Sequence, residues 1–179
     1  LKKVRPGETL WYSMWENVWR SAPEMKDARS QLKLYFTSDR RLLYSSGNQN
    51  SGAVQFAYDP KNPPSFPGSG CLIIGGMYAQ PKPGFRKDVL SFVSEPFSER
   101  YIVRGKMKLD LTVTSDCDDT SFYVRTSIRK RDGKWYTLRD DIKSISWDNE
   151  NYVPGSEAKV SYVLSDHAFA IEEGDRLRM

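Results

Sequence analysis

The sequence is poor in the residues that carry chemistry. It has one histidine, His167, and two cysteines, Cys71 and Cys117. No C-x-x-C pair or histidine-rich tract accompanies them, so the ligand spacing of a zinc site is missing. Two thiols allow one disulfide or two ordinary cysteines, and both readings stay open. No G-x-S-x-G elbow presents a serine nucleophile, and no glycine loop is built to cradle phosphate. There is no Asn-x-Ser/Thr acceptor. The longest apolar run, residues 71–78, is too short to cross a bilayer and contains Gly75 and Gly76. The start of the chain shows no charged-then-apolar leader pattern. The net charge of +4 comes from scattered basic residues, which reads as a solvated surface and not as a nucleic-acid footprint. No cofactor, nucleic-acid partner or membrane partner is therefore expected, and the compartment is left undetermined.

What is abundant is aromatic and alternating. Aromatic residues make up 13% of the 179, a load that suits half-buried strands. Residues 105–129 organise the rest. Met107, Leu109, Leu111 and Val113 alternate with Lys106, Lys108, Asp110 and Thr112, then Phe122, Val124, Thr126 and Ile128 alternate with Tyr123, Arg125 and Ser127. A period of two means strands with one buried face. Between them lies a polar corner with Asp116, Asp118 and Asp119, expected at the rim of a sandwich. That corner could hold calcium through carboxylate oxygens, or its aspartates could cap loop amides.

Further strands are expected at 32–36, 42–44, 53–58, 89–93, 100–103, 135–138, 142–147 and 158–164. Turns are expected at Asp132-Gly133 and Pro154-Gly155. No helix-length periodic segment follows residue 30, so the fold class is an all-β sandwich. Residues 59–70 are too rich in proline and glycine to enter a sheet interior and form an ordered excursion. Residues 175–179 begin another alternating strand, Leu177 and Met179 inward, where the sequence stops; the expectation is a cut inside a core strand.

Two stretches stand apart. Residues 1–31 form an irregular segment in which Trp11, Met14, Trp15 and Val18 share a helical face, with Trp19 beside them, while 10–14 also fits a strand. That load either covers the domain's own core or docks onto a partner. Ser165, Asp166 and His167 look like a triad, but neighbours on an extended chain point apart, so His167 is expected in a turn. Trp135, Tyr136 and Trp147 form either an aromatic platform for carbohydrate or part of the core. On the residues alone this is a β-sandwich with no visible active site.

Several motifs, in order, resemble the C-terminal domain of the X-Pro dipeptidyl-peptidase and cocaine-esterase-like (CocE/NonD, peptidase S15) hydrolases. Met14, Glu16, Asn17, Trp19 and Arg20 resemble M-G-x-N-x-W-R, and Leu34-Tyr35 the following L-Y-L strand. Tyr58-Asp59-Pro60 resembles Y-D-P-x-x-P-x-P-x-x-G-G. Asp88-Val89-Leu90, Phe92 and Ser94-Glu95-Pro96-Phe97 resemble D-V-L-x-F-x-S-E-P-L. Ser115-Asp116, Asp119-Thr120 and Phe122 resemble S-S-D-x-x-D-T-D-F, and Gly174, Arg176 and Arg178 resemble G-H-R-x-R. Ser121 and Asp175 depart from these patterns, as do Ala79 and Pro81 around Gln80, and Asp141, Ser144 and Ser146.

The resemblance implies a jelly-roll, galactose-binding-like sandwich over residues 32–179, preceded by a linker or docking segment, 1–31, from the end of an α/β-hydrolase domain. It implies no catalytic residue in this chain, since the family's serine, aspartate and histidine lie upstream. The work implied is to pack on the hydrolase domain of a bacterial serine hydrolase, line its substrate pocket, or set homo-oligomer contacts. Trp15, Trp19, Tyr58, Asp59 and Pro60 are the docking candidates.

Overall fold

The computed structural model describes residues 5–22, 31–44, 52–68 and 75–179. Cys71 and the first half of the apolar run at 71–78 lie outside them. In chain order the strands are β1 (Thr9–Ser13), β2 (Val18–Ala22), β3 (Tyr35–Phe36), β4 (Arg41–Leu43), β5 (Ala79–Gln80) and β6 (Val93–Ser94). They continue with β7 (Tyr101–Val113), β8 (Ser121–Arg129), β9 (Trp135–Ser144), β10 (Ala158–Ile171) and β11 (Arg176–Arg178). A single helical turn, α1 (Ile145–Asp148), follows β9. The chain is an all-β sandwich.

One layer is the antiparallel pair β7 and β10, with Tyr101 against Ile171 at one end and Val113 against Ala158 at the other. The other layer is a mixed seven-stranded sheet in the order β3-β4-β6-β11-β8-β9-β5. The alternation at 105–129 is as expected, but its two halves fall in different layers, and the acidic corner carries the chain across the rim. The core lies between the layers. Leu109, Val124, Ile145, Val160, Tyr162 and Leu164 form one cluster. Phe97, Ile128, Leu138, Phe169, Ile171 and Leu177 form the other. Each fully buried Val, Leu, Ile or Phe contributes about 1.5–3 kcal/mol, and β10 feeds both clusters.

β10 also carries the main irregularity. Leu164 pairs with Met107 and His167 with Gly105, so a bulge inserts an extra residue. Before the bulge only alternate residues are buried; from 167 to 171 every one is. The reason is on the outer side. Met14 bridges to Phe169, its amide donating to Ala168 O at 3.0 Å and its carbonyl accepting from Ala170 N at 2.9 Å. The N-terminal hairpin thus pairs with the edge of β10 opposite β7.

Several expectations need correction. Residues 9–22 are an antiparallel β1–β2 hairpin, not an irregular or helical segment. Residues 53–58 join no strand, because the prolines that follow deny them a ladder. The expected strands at 32–36 and 89–93 shrink to β3 and β6. Residues 100–103 are the start of β7. β9 runs unbroken from 135 to 144, and α1 replaces the end of the strand expected at 142–147. His167 sits in the β10 bulge and is buried, not in a turn. The strand expected at 175–179 is present as β11, inside the seven-stranded sheet between β6 and β8, with Leu177 buried as expected.

Candidate functional site

The β1–β2 hairpin has one face locked and one face open. Its tip turns through Trp15 and Asn17, both in the left-handed region at φ 62° and 55°. Asn17 N donates to Ser13 O at 3.0 Å, and Tyr12 OH to Asn17 Oδ1 at 3.0 Å. Asparagine tolerates this conformation well; a tryptophan there must be held by packing. Trp15 is held edge-on by Phe169 and Tyr136, each 6.3 Å away, with the Lys130 ammonium 5.0 Å over its ring.

Glu16 fixes the next position. Its side chain is 5% exposed and receives Arg20 Nε at 3.0 Å and Nη2 at 2.7 Å. Arg100 Nη2 reaches it at 3.3 Å, and Arg100 Nε also reaches Glu172 at 3.1 Å. The Arg20 hydrogen bonds hold the Glu16 carboxyl down at about 2. The opposite face presents Tyr12 and Trp19 as a tilted pair 5.4 Å apart, beside exposed Val18. Trp19 is 56% exposed.

The proline-rich excursion is attached differently. No ladder holds it; the Arg125 side chain on β8 does. Arg125 Nη1 donates to Pro67 O at 3.1 Å and Gln80 Oε1 at 2.7 Å. Its Nη2 donates to Asp140 Oδ2 at 2.9 Å and Phe66 O at 3.4 Å, and its Nε to Tyr123 OH at 2.8 Å. Phe66 stacks on Tyr123 at 5.9 Å and meets Phe85 edge-on at 5.8 Å. Burial, with Asp140 accepting its hydroxyl, raises the Tyr123 phenol well above the ordinary tyrosine range. Farther out, Arg86 bridges Asp88 (2.6 Å) and Asn62 O (2.5 Å). Asp59 Oδ1 accepts Lys61 N at 2.9 Å. Tyr58, Asp59 and Pro60 all lie at the surface.

The proposed aromatic platform is not assembled. Trp135 is 5% exposed, in the core, with the Arg178 guanidinium 4.7 Å over its ring. Tyr136 donates to Asp132 at 2.6 Å and packs against Trp15. Trp147, 67% exposed, stands on α1 beyond the far end of β9. Strand geometry separates Trp135 from Trp147, and alternation puts Trp135 and Tyr136 on opposite faces. In the acidic corner, Asp119 caps loop and helix-turn groups. Asp119 accepts Ser146 Oγ at 2.7 Å, Ser146 N at 3.2 Å and Thr120 N at 2.9 Å. Among the described residues no three His, Cys, Asp or Glu side chains converge as metal ligands. Cys117 is an exposed free thiol.

One pair escaped the sequence reading. Asp175, fully buried at the β10–β11 turn, pairs with Lys130 Nζ and accepts Glu172 N at 2.7 Å. Lys130 is the cation over Trp15, so a core carboxylate, a lysine and the hairpin tip form one stack. The signal was the departure at Asp175 from the G-H-R pattern, which by itself gave no partner.

A family model, the X-Pro dipeptidyl-peptidase C-terminal non-catalytic domain, matches residues 3–179. No curated protein sequence matches the chain. Among solved structures, a selenomethionine-labelled α-amino acid ester hydrolase superposes with a TM-score of 0.75 at 16% identity. An aminopeptidase from a marine sediment archaeon, Thaumarchaeota archaeon, gives 0.67 at 16%. A CocE/NonD family hydrolase from Staphylococcus aureus gives 0.61 at 12%. At these identities the likeness concerns the fold. Each match covers 94% of this chain but 32% of the solved one, so the chain spans about a third of their length. With the family model matched over nearly its whole length, the chain belongs to the X-Pro dipeptidyl-peptidase C-terminal non-catalytic domain family.

Proposed function

We propose that this domain packs on the catalytic domain of a serine hydrolase of the X-Pro dipeptidyl-peptidase or acyl esterase and amidase type, and helps to wall its substrate pocket. The segment before residue 32 is the docking element, and residues 32–179 form the jelly-roll body. The observation that carries this reading is the two-faced hairpin. Its inner face is anchored by Met14, Trp15 and Glu16, so Tyr12, Val18 and Trp19 are held outward on a rigid support. Exposed, pre-ordered aromatic residues suit an interface, because little side-chain entropy remains to be lost. The tip of the proline-rich excursion, with Tyr58 and Pro60, is a second contact of the same kind.

The test begins with the upstream part of the gene, where a G-x-S-x-G motif is expected. The chain alone should not hydrolyse p-nitrophenyl acetate. Co-expressed with the upstream hydrolase domain, it should co-purify, and Trp19→Ala should weaken that capture by about tenfold or more. Clear turnover by the chain alone would refute the proposal.

A further inference from the structure

The two layers of the sandwich are unequal, and their edges are finished differently. The seven-stranded sheet ends in β3 and β5, each too short to template another chain. The edge of β10 is closed. Asp148 Oδ2 accepts Ser161 N at 3.0 Å, Lys143 Nζ donates to Ser161 O at 2.9 Å, and Asn149 Nδ2 donates to Lys159 O at 2.9 Å. Past the bulge, Met14 takes the same edge. The outer edge of β7 is different. Among the described residues β7 pairs with β10 alone.

The groups that β7 offers follow from β10. Ser161 spends its N–H and C=O on Asp148 and Lys143, so it faces Asp110 as a non-hydrogen-bonded pair. Alternation gives Lys108 and Thr112 the same orientation. The N–H and C=O groups of Lys108, Asp110 and Thr112 therefore point away from β10, and among the described residues no hydrogen bond reaches them. The apolar side of this edge is also short of cover. Met107, Leu111 and Val113 are only partly buried, whereas their partners on β10, Leu164, Val160 and Ala158, are buried.

We infer that this edge pairs with the same edge of a second copy of this chain, antiparallel about a dyad at Leu109, which joins the two β7–β10 layers into one continuous sheet. Side chains alternate between faces, so only registers that set inner residues against inner ones are open. With the dyad at Leu109, Lys108 of each copy opposes Asp110 of the other, and Met107 opposes Leu111 on the apolar face. Moving the dyad one residue either way sets Lys108 or Asp110 against itself, which like charges disfavour. The pairing runs from Gly105 to Val113 and stops where Gly105 leaves extended geometry at φ 115°. Lysines on an edge ordinarily repel another strand. Here Asp110, two residues on, makes the same edge its own complement. The inference does not depend on the hydrolase reading, since both strands come from this chain.

The experiment is sedimentation velocity on the full chain at about 50 mM salt, where surface charge is little screened. A reversible monomer–dimer equilibrium is expected at micromolar concentrations. Exchange of the Lys108, Asp110 and Thr112 amides with deuterium should slow as the chain is concentrated. Lys108→Glu sets two acidic groups against each other at both ends of the dyad and should weaken the dimer by about tenfold. Asp110→Lys should do the same, and the combined swap, Lys108→Asp with Asp110→Lys, should restore it to within about threefold. Lys134→Glu, at the far β8–β9 turn, should change nothing. Should Asp110→Lys fail to fold for want of its bond from Ser161 Oγ, Lys108→Glu and the amide exchange decide alone. The inference is overturned if the chain stays monomeric up to about 200 μM, if a dimer forms that Lys108→Glu leaves intact, if the folded charge swap fails to recover it, or if the three amides exchange alike at all concentrations.

Discussion

The N-terminal hairpin and the proline-rich excursion are both appended to the same sandwich, yet they are held by different forces. The hairpin enters the backbone ladder of β10 through Met14 and sinks Trp15 into the edge of the core. The excursion never enters a ladder. It hangs from the guanidinium of Arg125, with Gln80 Nε2 adding a bond to Pro67 O at 2.9 Å. Apolar burial joins the hairpin to global stability. A polar clip on a proline-rich loop orders that loop locally and leaves the core to stand without it.

That contrast can be broken experimentally, and the largest effect is expected beneath the hairpin. Asp175→Ala strands the Lys130 ammonium in a buried setting and should cost about 3–5 kcal/mol in urea unfolding. A loss below about 1 kcal/mol would show that the Lys130–Asp175 pair holds nothing together. Trp15→Ala should cost about 2–3 kcal/mol, less than a full core deletion because the ring is only partly buried. Arg125→Ala should lower the unfolding midpoint less than Trp15→Ala does, while making residues 59–68 the first site of limited proteolysis. If the two variants unfold alike and the loop stays protected, the distinction between ladder and clip fails.

The smallest effect is a titration. Arg20 holds the Glu16 carboxyl at about 2 in the folded chain, against 4.5 ordinarily. A depressed folded value means that the unfolded chain binds the proton more readily. The Glu16 contribution is therefore complete above about pH 4.5 and is lost as pH falls towards about 2. Glu16→Gln should flatten the difference in urea midpoint across that window. An unchanged acid limb would mean that the hairpin is not secured through this carboxylate.

The same two regions mark how far the sequence could be read. The alternation at 107–113 and 122–128 was legible because a strand with one buried face repeats every two residues. The hairpin was harder. Trp11, Met14, Trp15 and Val18 fit a helical face as well as a strand, and the β1–β2 ladder, fixed to β10 through Met14, settles the matter. The excursion's irregularity could be read from its prolines, but its anchor could not. Arg125 lies 58 residues from Pro67 and looked like an ordinary outward residue of β8. Trp135 and Trp147 looked equivalent. Their neighbours separate them, since Trp135 lies under Arg178 and Trp147 faces solvent.

The amino-acid order determined by itself that this chain builds β layers, that residues 59–68 stay outside them, and that the family motifs fall in sequence. Those are properties of local spacing and of proline geometry, which act within a few residues. The tertiary structure decided that Lys130 meets Asp175, that His167 is buried at a bulge, and that the N-terminal hairpin pairs with the free edge of β10. These pairings join residues far apart in the chain. Their partners are selected by the burial and charge compensation of the assembled layers, which no local pattern encodes.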